Sequence, residues 1–227
     1  MDNVLIIAPH PDDAELGVGG TIVKHKERGD HVSVMILCSE KFQNCDHEPD
    51  AEKQGAWSLG EAALARKVLG YDELFFAGLE DETLDRCILD ILHKAEPIYN
   101  KIKPDIVYVT HHGDNNQDHR AAFEAAQVLC RPISRHTPRQ FLTYETPSGT
   151  DQTPNLAHTI FLPNHYSVLD WEQVEKKINA VECYKSELRH MPHARCADGI
   201  CSYANFRGIQ CGSDFAEAFC MIREVCK

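Results

Sequence analysis

Basic residues are what this sequence has too few of. Its 23 Lys and Arg stand against 35 Asp and Glu, a formal net charge of -12, which leaves no cationic excess for a nucleic-acid backbone or an anionic membrane surface. Both are excluded as partners. There is also no stretch of about 18 consecutive apolar residues, so no membrane insertion is expected. The N-terminus enters an apolar run without a basic region or a cleavage-type segment, so we expect no signal peptide and a cytoplasmic location. CxxC pairs are missing as well. The ten cysteines accompany a chain long enough for a full core, where reduced thiols are expected over a disulfide framework. Half of them lie between Cys196 and Cys226 and suit packed thiols better than a second metal, although Cys201 and Cys211 flank what reads as an irregular, glycine-bearing stretch.

A further absence concerns glycine. Gly17, Gly19 and Gly20 suggest a dinucleotide loop, but Ile22 stands where G-x-G-x-x-G needs its third glycine. Carboxylates also occupy the place where a pyrophosphate would approach. No nucleotide cofactor is expected, and the glycines are read as allowing close packing of the first helix.

What is present is an alternation of short β-branched runs with helical patterns. Residues 4–8, "VLIIA", and 31–38, "HVSVMILC", read as buried strands around a helix at 16–28. A helix ended by Gly70, a strand at 73–77, a helix over 85–100 interrupted at Pro97, a strand in "KPDIVYVTHH" and a helix over 119–129 continue the pattern. Beyond residue 131 the texture turns rich in Pro and Thr, with β-like pieces at 141–145 and 158–162, a helix at 170–190 and a closing strand or short helix in "AEAFCMIREV". The expected fold is α/β: a Rossmann-like three-layer arrangement with a mostly parallel sheet, and an irregular β-containing C-terminal region completing the site. We read 1–227 as a single domain, with 1–130 as its α/β core and 131–227 as an extension of it.

The chemistry sits at strand ends, where ligands bind in parallel sheets. His10, Asp12, Asp13 and Glu15 follow the first strand; His111, His112, Asp114, Asn116, Asp118 and His119 follow the later one. So many acids cannot be buried together unpaired. A divalent cation resolves the crowding: His10, Asp13 and His119 make a His-Asp-His set suited to catalytic zinc, and Asp12 is left free to act on water. Glu15 suits the first turn of the helix. Asp118 would cap the next helix or hold a histidine ring nitrogen, Asp114 is similarly placed, and Arg120 would neutralise these acids or meet a phosphate. Asn164 suits a turn after Pro163. Tyr184 and Lys185 suit a packed helix, and Phe42, Trp57 and Phe76 suit the core better than a sugar face.

The pieces "PHPDDAELGVGGT", "EAALARKVLG", "GLEDETL", "HHGDNNQDHRAAFEAA", "FLPNHY", "VECYKSEL" and "AEAF" closely resemble the LmbE-like, or PIG-L, family of metal-dependent N-acetylglucosamine deacetylases, from the first strand almost to the C-terminus. The resemblance implies that His10, Asp13 and His119 bind Zn2+ or another divalent ion and that Asp12 is the general base. It implies a small N-acetylated sugar or sugar conjugate as substrate, with acetate and the free amino sugar as products, and it is compatible with a homo-oligomer. Two positions depart from the family pattern. Asn116 replaces a histidine credited with oxyanion stabilisation or proton donation; an amide donates a hydrogen bond but no proton. His111 or His112 would then assist. Ser58 replaces an arginine that contacts substrate. The alternatives are a zinc hydrolase of another amide or ester, and a non-catalytic sugar- or metal-binding protein.

Overall fold

A computed structural model describes residues 1–40, 51–133 and 136–226, with only the backbone of 40 and 51–58. Ser58, Phe42 and Trp57 therefore lie outside the described side chains. Seven strands, β1 (Asn3–Ala8), β2 (His31–Glu40), β3 (Glu73–Glu80), β4 (Ile106–Thr110), β5 (Gln140–Tyr144), β6 (His165–Leu169) and β7 (Phe215–Glu224), form one sheet in the order β3-β2-β1-β4-β5-β7-β6. The first five in that order run parallel. β7 runs antiparallel between β5 and β6.

Alternation along β1 divides the core in two. Val4, Ile6 and Ala8 join α1 (Asp13–Glu27), α2 (Ala51–Leu69) and α5 (Trp171–Val181) on one face. Leu5 and Ile7 join α3 (Ile88–Ile102) and α4 (Gln117–Leu129) on the other. This is the three-layer arrangement expected from the sequence, and it explains why the parallel strands read as continuous apolar runs. From β1 the chain builds outward through β2 to β3, then returns to place β4 on the other side of β1. The carboxyl ends of β1 and β4 thus flank the point where strand order reverses, which is where open α/β sheets form their crevice.

Several local expectations are corrected. α1 begins at Asp13, three residues before Leu16, because Leu16 N already donates to Asp12 O at 2.9 Å. α3 runs through Pro97 without interruption; Pro97 faces solvent while Ile91, Ala95, Tyr99 and Ile102 hold the buried face, and packing of that face keeps the helix continuous despite the lost N–H. Residues 158–162 are no strand, since Thr159 and Ile160 both turn back on Leu156 O; the strand starts at His165. The helix expected over 170–190 ends at Val181, where a run of turns carries Tyr184 into the core at 2% exposure. Tyr184 and Lys185 therefore lie beyond it.

A sixth helix, α6 (Ala197–Cys211), replaces the irregular stretch expected there and carries both Cys201 and Cys211. Its glycines mark close backbone approach: a Cβ on Gly199 would lie 2.7 Å from His193 O, and one on Gly208 2.6 Å from Asp214 O. The closing segment is the strand β7. All nine described cysteines are free.

The three glycines of α1 serve packing. A Cβ on Gly19 would reach 2.9 Å from Lys177 Cγ, one on Gly20 would overlap Leu169, and one on Gly17 would overlap the Tyr144 ring. Behind them, the buried Glu217 carboxylate accepts from Gly20 N (2.9 Å), Thr21 N (2.7 Å) and Lys177 Nζ (2.6 Å). β7 and α5 are thereby pinned to α1. Tyr144 cannot retreat, because it is fully buried and its hydroxyl donates to Ile7 O at 3.0 Å. Gly17→Ala should therefore cost about 1–3 kcal/mol of stability through overpacking; an unchanged thermal unfolding midpoint would contradict this packing role.

Candidate metal centre

β1 delivers Pro9 and His10 to the crevice, and the chain enters α1 through Asp12 with φ +123°. A non-glycine residue there is strained. The consequence is that the adjacent carboxylates of Asp12 and Asp13 go to different partners. Asp13 Oδ2 accepts from His10 N at 2.9 Å and lies 3.2 Å from His10 Nδ1 and 3.3 Å from His119 Nε2. His10 Nδ1 and His119 Nε2 are 3.3 Å apart.

These three atoms form a nearly equilateral triangle from two segments more than a hundred residues apart. Ligand bonds of about 2.0–2.1 Å in a tetrahedral site put donor atoms about 3.3–3.4 Å from one another, so the triangle has the size of one tetrahedral face. The other oxygen, Asp13 Oδ1, is buried with no hydrogen-bond partner. Both observations fit a divalent cation.

The far side of each ring meets a carboxylate. His10 Nε2 lies 3.1 Å from Asp81 Oδ1 and 3.3 Å from Asp118 Oδ2, and His119 Nδ1 lies 3.3 Å from Asp114 Oδ1, as an ion pair without aligned hydrogen-bond geometry. A proton on the far nitrogen leaves the near nitrogen's lone pair facing the centre. The carboxylates are themselves fixed. Asp118 accepts from Glu82 N (2.8 Å) and Leu84 N (3.0 Å), and Asp114 accepts from Asn116 N (2.9 Å) and Thr150 Oγ1 (2.6 Å).

This crowd of acids sets the local electrostatics. Burial opposes charge on His10, yet Asp118, Asp13 and Asp81 outweigh it and raise the ring well above its usual 6.5; for His119, Asp13 and Asp114 overcome burial and raise it to about 9. Asp13 is also disfavoured by burial, but His119 and His10 hold it well below the usual carboxylate range. Without a metal ion the site gathers protons, and the same field would favour a cation. Asp12 differs: burial pushes it up to about 7, partly opposed by Arg195.

The candidate residues therefore separate by partner. Asp12 does not cap α1; its Oδ2 accepts from Arg195 Nη1 at 2.8 Å. Asn116 caps α4, its Oδ1 accepting from Asp118 N at 2.8 Å. Asp118 is fully buried against His10 and backbone amides. Glu15 is buried away from the triangle and pushed up to about 7 by that burial, with the Tyr71 hydroxyl 3.5 Å away. Among the described residues Arg120 forms no ion pair with a carboxylate; its Nη1 donates to the carbonyls of Asp114 and Asn115. Asn164 braces the sheet edge, accepting from Met221 N. His111 is held toward its neutral form. Burial and His112 push it down to about 4, and its Nε2–H is given to Thr159 O.

Three residues near the centre carry little or no signal in the sequence. Cys38 ends a buried run in β2, and its amide donates to Pro9 O at 2.8 Å, so strand pairing beside "APH" was the available signal. Its thiol joins His10, Asp81 and Asp118 in a second cluster whose donor atoms lie within 4.8 Å of one another, although burial pushes the thiol up to about 11. Asp81 lies in "GLEDETL". Arg195 comes from a turn 183 residues beyond Asp12 and had no local signal.

With this geometry established, comparison with known proteins gives a consistent result. The family model for PIG-L, GlcNAc-PI de-N-acetylase, matches residues 5–130. An uncharacterized deacetylase, YaiS, of Escherichia coli (strain K12) is 28% identical over 188 residues, covering 81% of this chain and 90% of that protein. Among solved structures, the N,N'-diacetylchitobiose deacetylase from Pyrococcus horikoshii is similar in fold, with TM-score 0.76 and 20% identity over 96% of this chain and 83% of that one. GalB, the 4-carboxy-2-hydroxymuconate hydratase of Pseudomonas putida KT2440, is also similar, with TM-score 0.72 and 19% identity over 100% and 98%. Shared fold alone therefore does not select the reaction.

The carboxylates behind the histidines give a direct test of the centre. Asp114→Asn keeps the shape but removes the charge facing His119, and should weaken Zn2+ affinity about 10–100-fold in a competition titration. Unchanged affinity would contradict the orienting role.

Proposed function

Because the chain belongs to the PIG-L family of GlcNAc-PI de-N-acetylases, we propose that it is a zinc-dependent amidohydrolase that removes acetyl from an N-acetylated amino sugar or its conjugate. The products are acetate and the free amine. One observation carries the reading: a triangle of donor atoms from His10, Asp13 and His119 lies beside a carboxylate, Asp12, that is not part of it. A site that only stores a cation has no use for that extra carboxylate.

His10, Asp13 and His119 would hold Zn2+, or another divalent ion, through two nitrogens and an oxygen. The ion, when bound, supplies Lewis acidity toward water and toward an amide carbonyl. Asp12 takes a proton from the attacking water and returns one to the amine nitrogen as the carbon–nitrogen bond breaks. Asn116, with Oδ1 committed to the helix cap, would offer Nδ2 as a hydrogen-bond donor to a developing oxyanion; it has no proton to give, and we assign both transfers to Asp12. Asp118, Asp81 and Asp114 position the two histidines.

No helix of the described residues is long and apolar enough to cross a membrane. We assign the protein a small-molecule substrate and a cytoplasmic location. Strands β5, β6 and β7 share the sheet of the preceding segment, so we read 1–227 as one catalytic domain.

Asp12→Asn separates the roles. The variant should retain one zinc per chain while acetate release from a panel of N-acetylhexosamine conjugates falls about 10²–10⁴-fold. Zinc lost together with activity would make Asp12 a ligand. No acetate release by the zinc-loaded wild type from any of the panel would overturn the reading.

A further inference from the structure

A carboxylate adjacent in sequence to Asp13 needs something to hold it out of the donor triangle, since a cation that attracts Asp13 attracts its neighbour too. Arg195 supplies that restraint. Its Nη1 donates to Asp12 Oδ2 at 2.8 Å, and among the described residues Asp12 Oδ1 accepts no hydrogen bond. The two oxygens of Asp12 are therefore inequivalent, one tied back and one open.

A long side chain is costly to immobilise, and this one is fixed from both ends. At the guanidinium, Nε donates to Ser148 Oγ at 2.8 Å, and Ser148 N is in turn given to Asp151 Oδ1 at 2.6 Å. At the backbone, Arg195 N donates to His193 Nδ1 at 3.1 Å, and the next residue, Cys196, caps α6 by accepting from Gly199 N. A Cβ at position 199 would lie 2.6 Å from Ala194 O, so glycine there lets the turn close and aims Arg195 into the crevice. Four non-glycine residues among those described have positive φ, and two of them, Asp12 at +123° and Ser148 at +70°, meet this one guanidinium. Strain concentrated on one contact is the mark of a functional arrangement. The other carboxylate near Arg195, Glu187, is more exposed and stands 3.6 Å away, a weaker partner than Asp12.

We infer that Arg195 is the positioning residue of the reaction: it holds Asp12 by Oδ2, out of the donor triangle, so that Oδ1 is the oxygen that meets water. The inference rests on the proposed deacetylase reading. In it the water's proton passes to Asp12 Oδ1 and on to the amine nitrogen, and Arg195 gives up no proton and touches no substrate.

A double-mutant cycle on the zinc-loaded protein, at one zinc per chain, tests this. Arg195→Ala should keep the zinc and lower kcat for acetate release from N-acetylhexosamine conjugates about 10–100-fold, with KM nearly unchanged. In the Asp12→Asn background the same substitution should change the residual rate by less than about twofold, because a residue that acts through Asp12 has nothing left to act on. Ser148→Ala, which removes the support of Nε and touches neither Asp12 nor the triangle, should lower kcat in the same sense but by less, and it carries the test if Arg195→Ala is unstable. An unchanged kcat in Arg195→Ala, a loss confined to KM, a loss of zinc, or a loss of equal size in the Asp12→Asn background overturns the positioning role alone. No acetate release by the wild type from any conjugate overturns the deacetylase reading and the role of Arg195 with it.

Discussion

Five aspartates, Asp12, Asp13, Asp81, Asp114 and Asp118, converge with His10 and His119 at one end of a buried parallel sheet, and charge compensation there constrains everything around it. Each acid has a different answer to the same desolvation problem. Asp118 and Asp114 commit their oxygens largely to backbone amides and a threonine, Asp12 takes Arg195, and Asp81 faces an imidazole. Asp13 takes imidazoles and keeps one oxygen without a partner. That incomplete compensation is what a divalent ion would finish.

Holding such a centre open requires a rigid support, and the support is built from behind. α1 carries Asp13 at its first turn, and its glycine face is held against Tyr144, Lys177 and Leu169 by the Glu217 anchor. α4 carries His119, and its small Ala122, Ala125 and Ala126 face lies flat on the other side of the sheet. The two ligand segments therefore come from opposite layers and meet only where the strand order reverses. Backbone strain at Asp12 is the local cost of turning one carboxylate out of the triangle.

Much of this was legible in the sequence because it depends on short-range patterns. "VLIIAPHPDD" announces strand, sharp turn and ligands within ten residues, and the alanine stripe of α4 announces a close-packed helix just behind His119. The donor set His10, Asp13 and His119 is the set that the fold brings together, although ligation itself awaits metal. What could not be read depends on contacts distant in sequence. Arg195 reaches Asp12 only because the C-terminal segment folds over the sheet edge, and Cys38 reaches the centre through strand pairing. α6 was hidden because Gly199 and Gly208, which look like turn formers, are there to let other backbone approach. His158 to Leu162 resembled a strand by composition, yet its backbone turns back on Leu156 and offers Thr159 O to His111.

Two clusters share His10, one completed by Asp13 and His119 and the other by Cys38, Asp81 and Asp118, and the central claim is that the first is the metal centre. X-ray absorption on the zinc-loaded protein distinguishes them, because sulfur and nitrogen or oxygen ligands scatter at different distances. The expected spectrum has a first shell of nitrogen and oxygen alone at about 2.0–2.1 Å. A sulfur shell at about 2.3 Å, bringing Cys38 onto the ion, would contradict it.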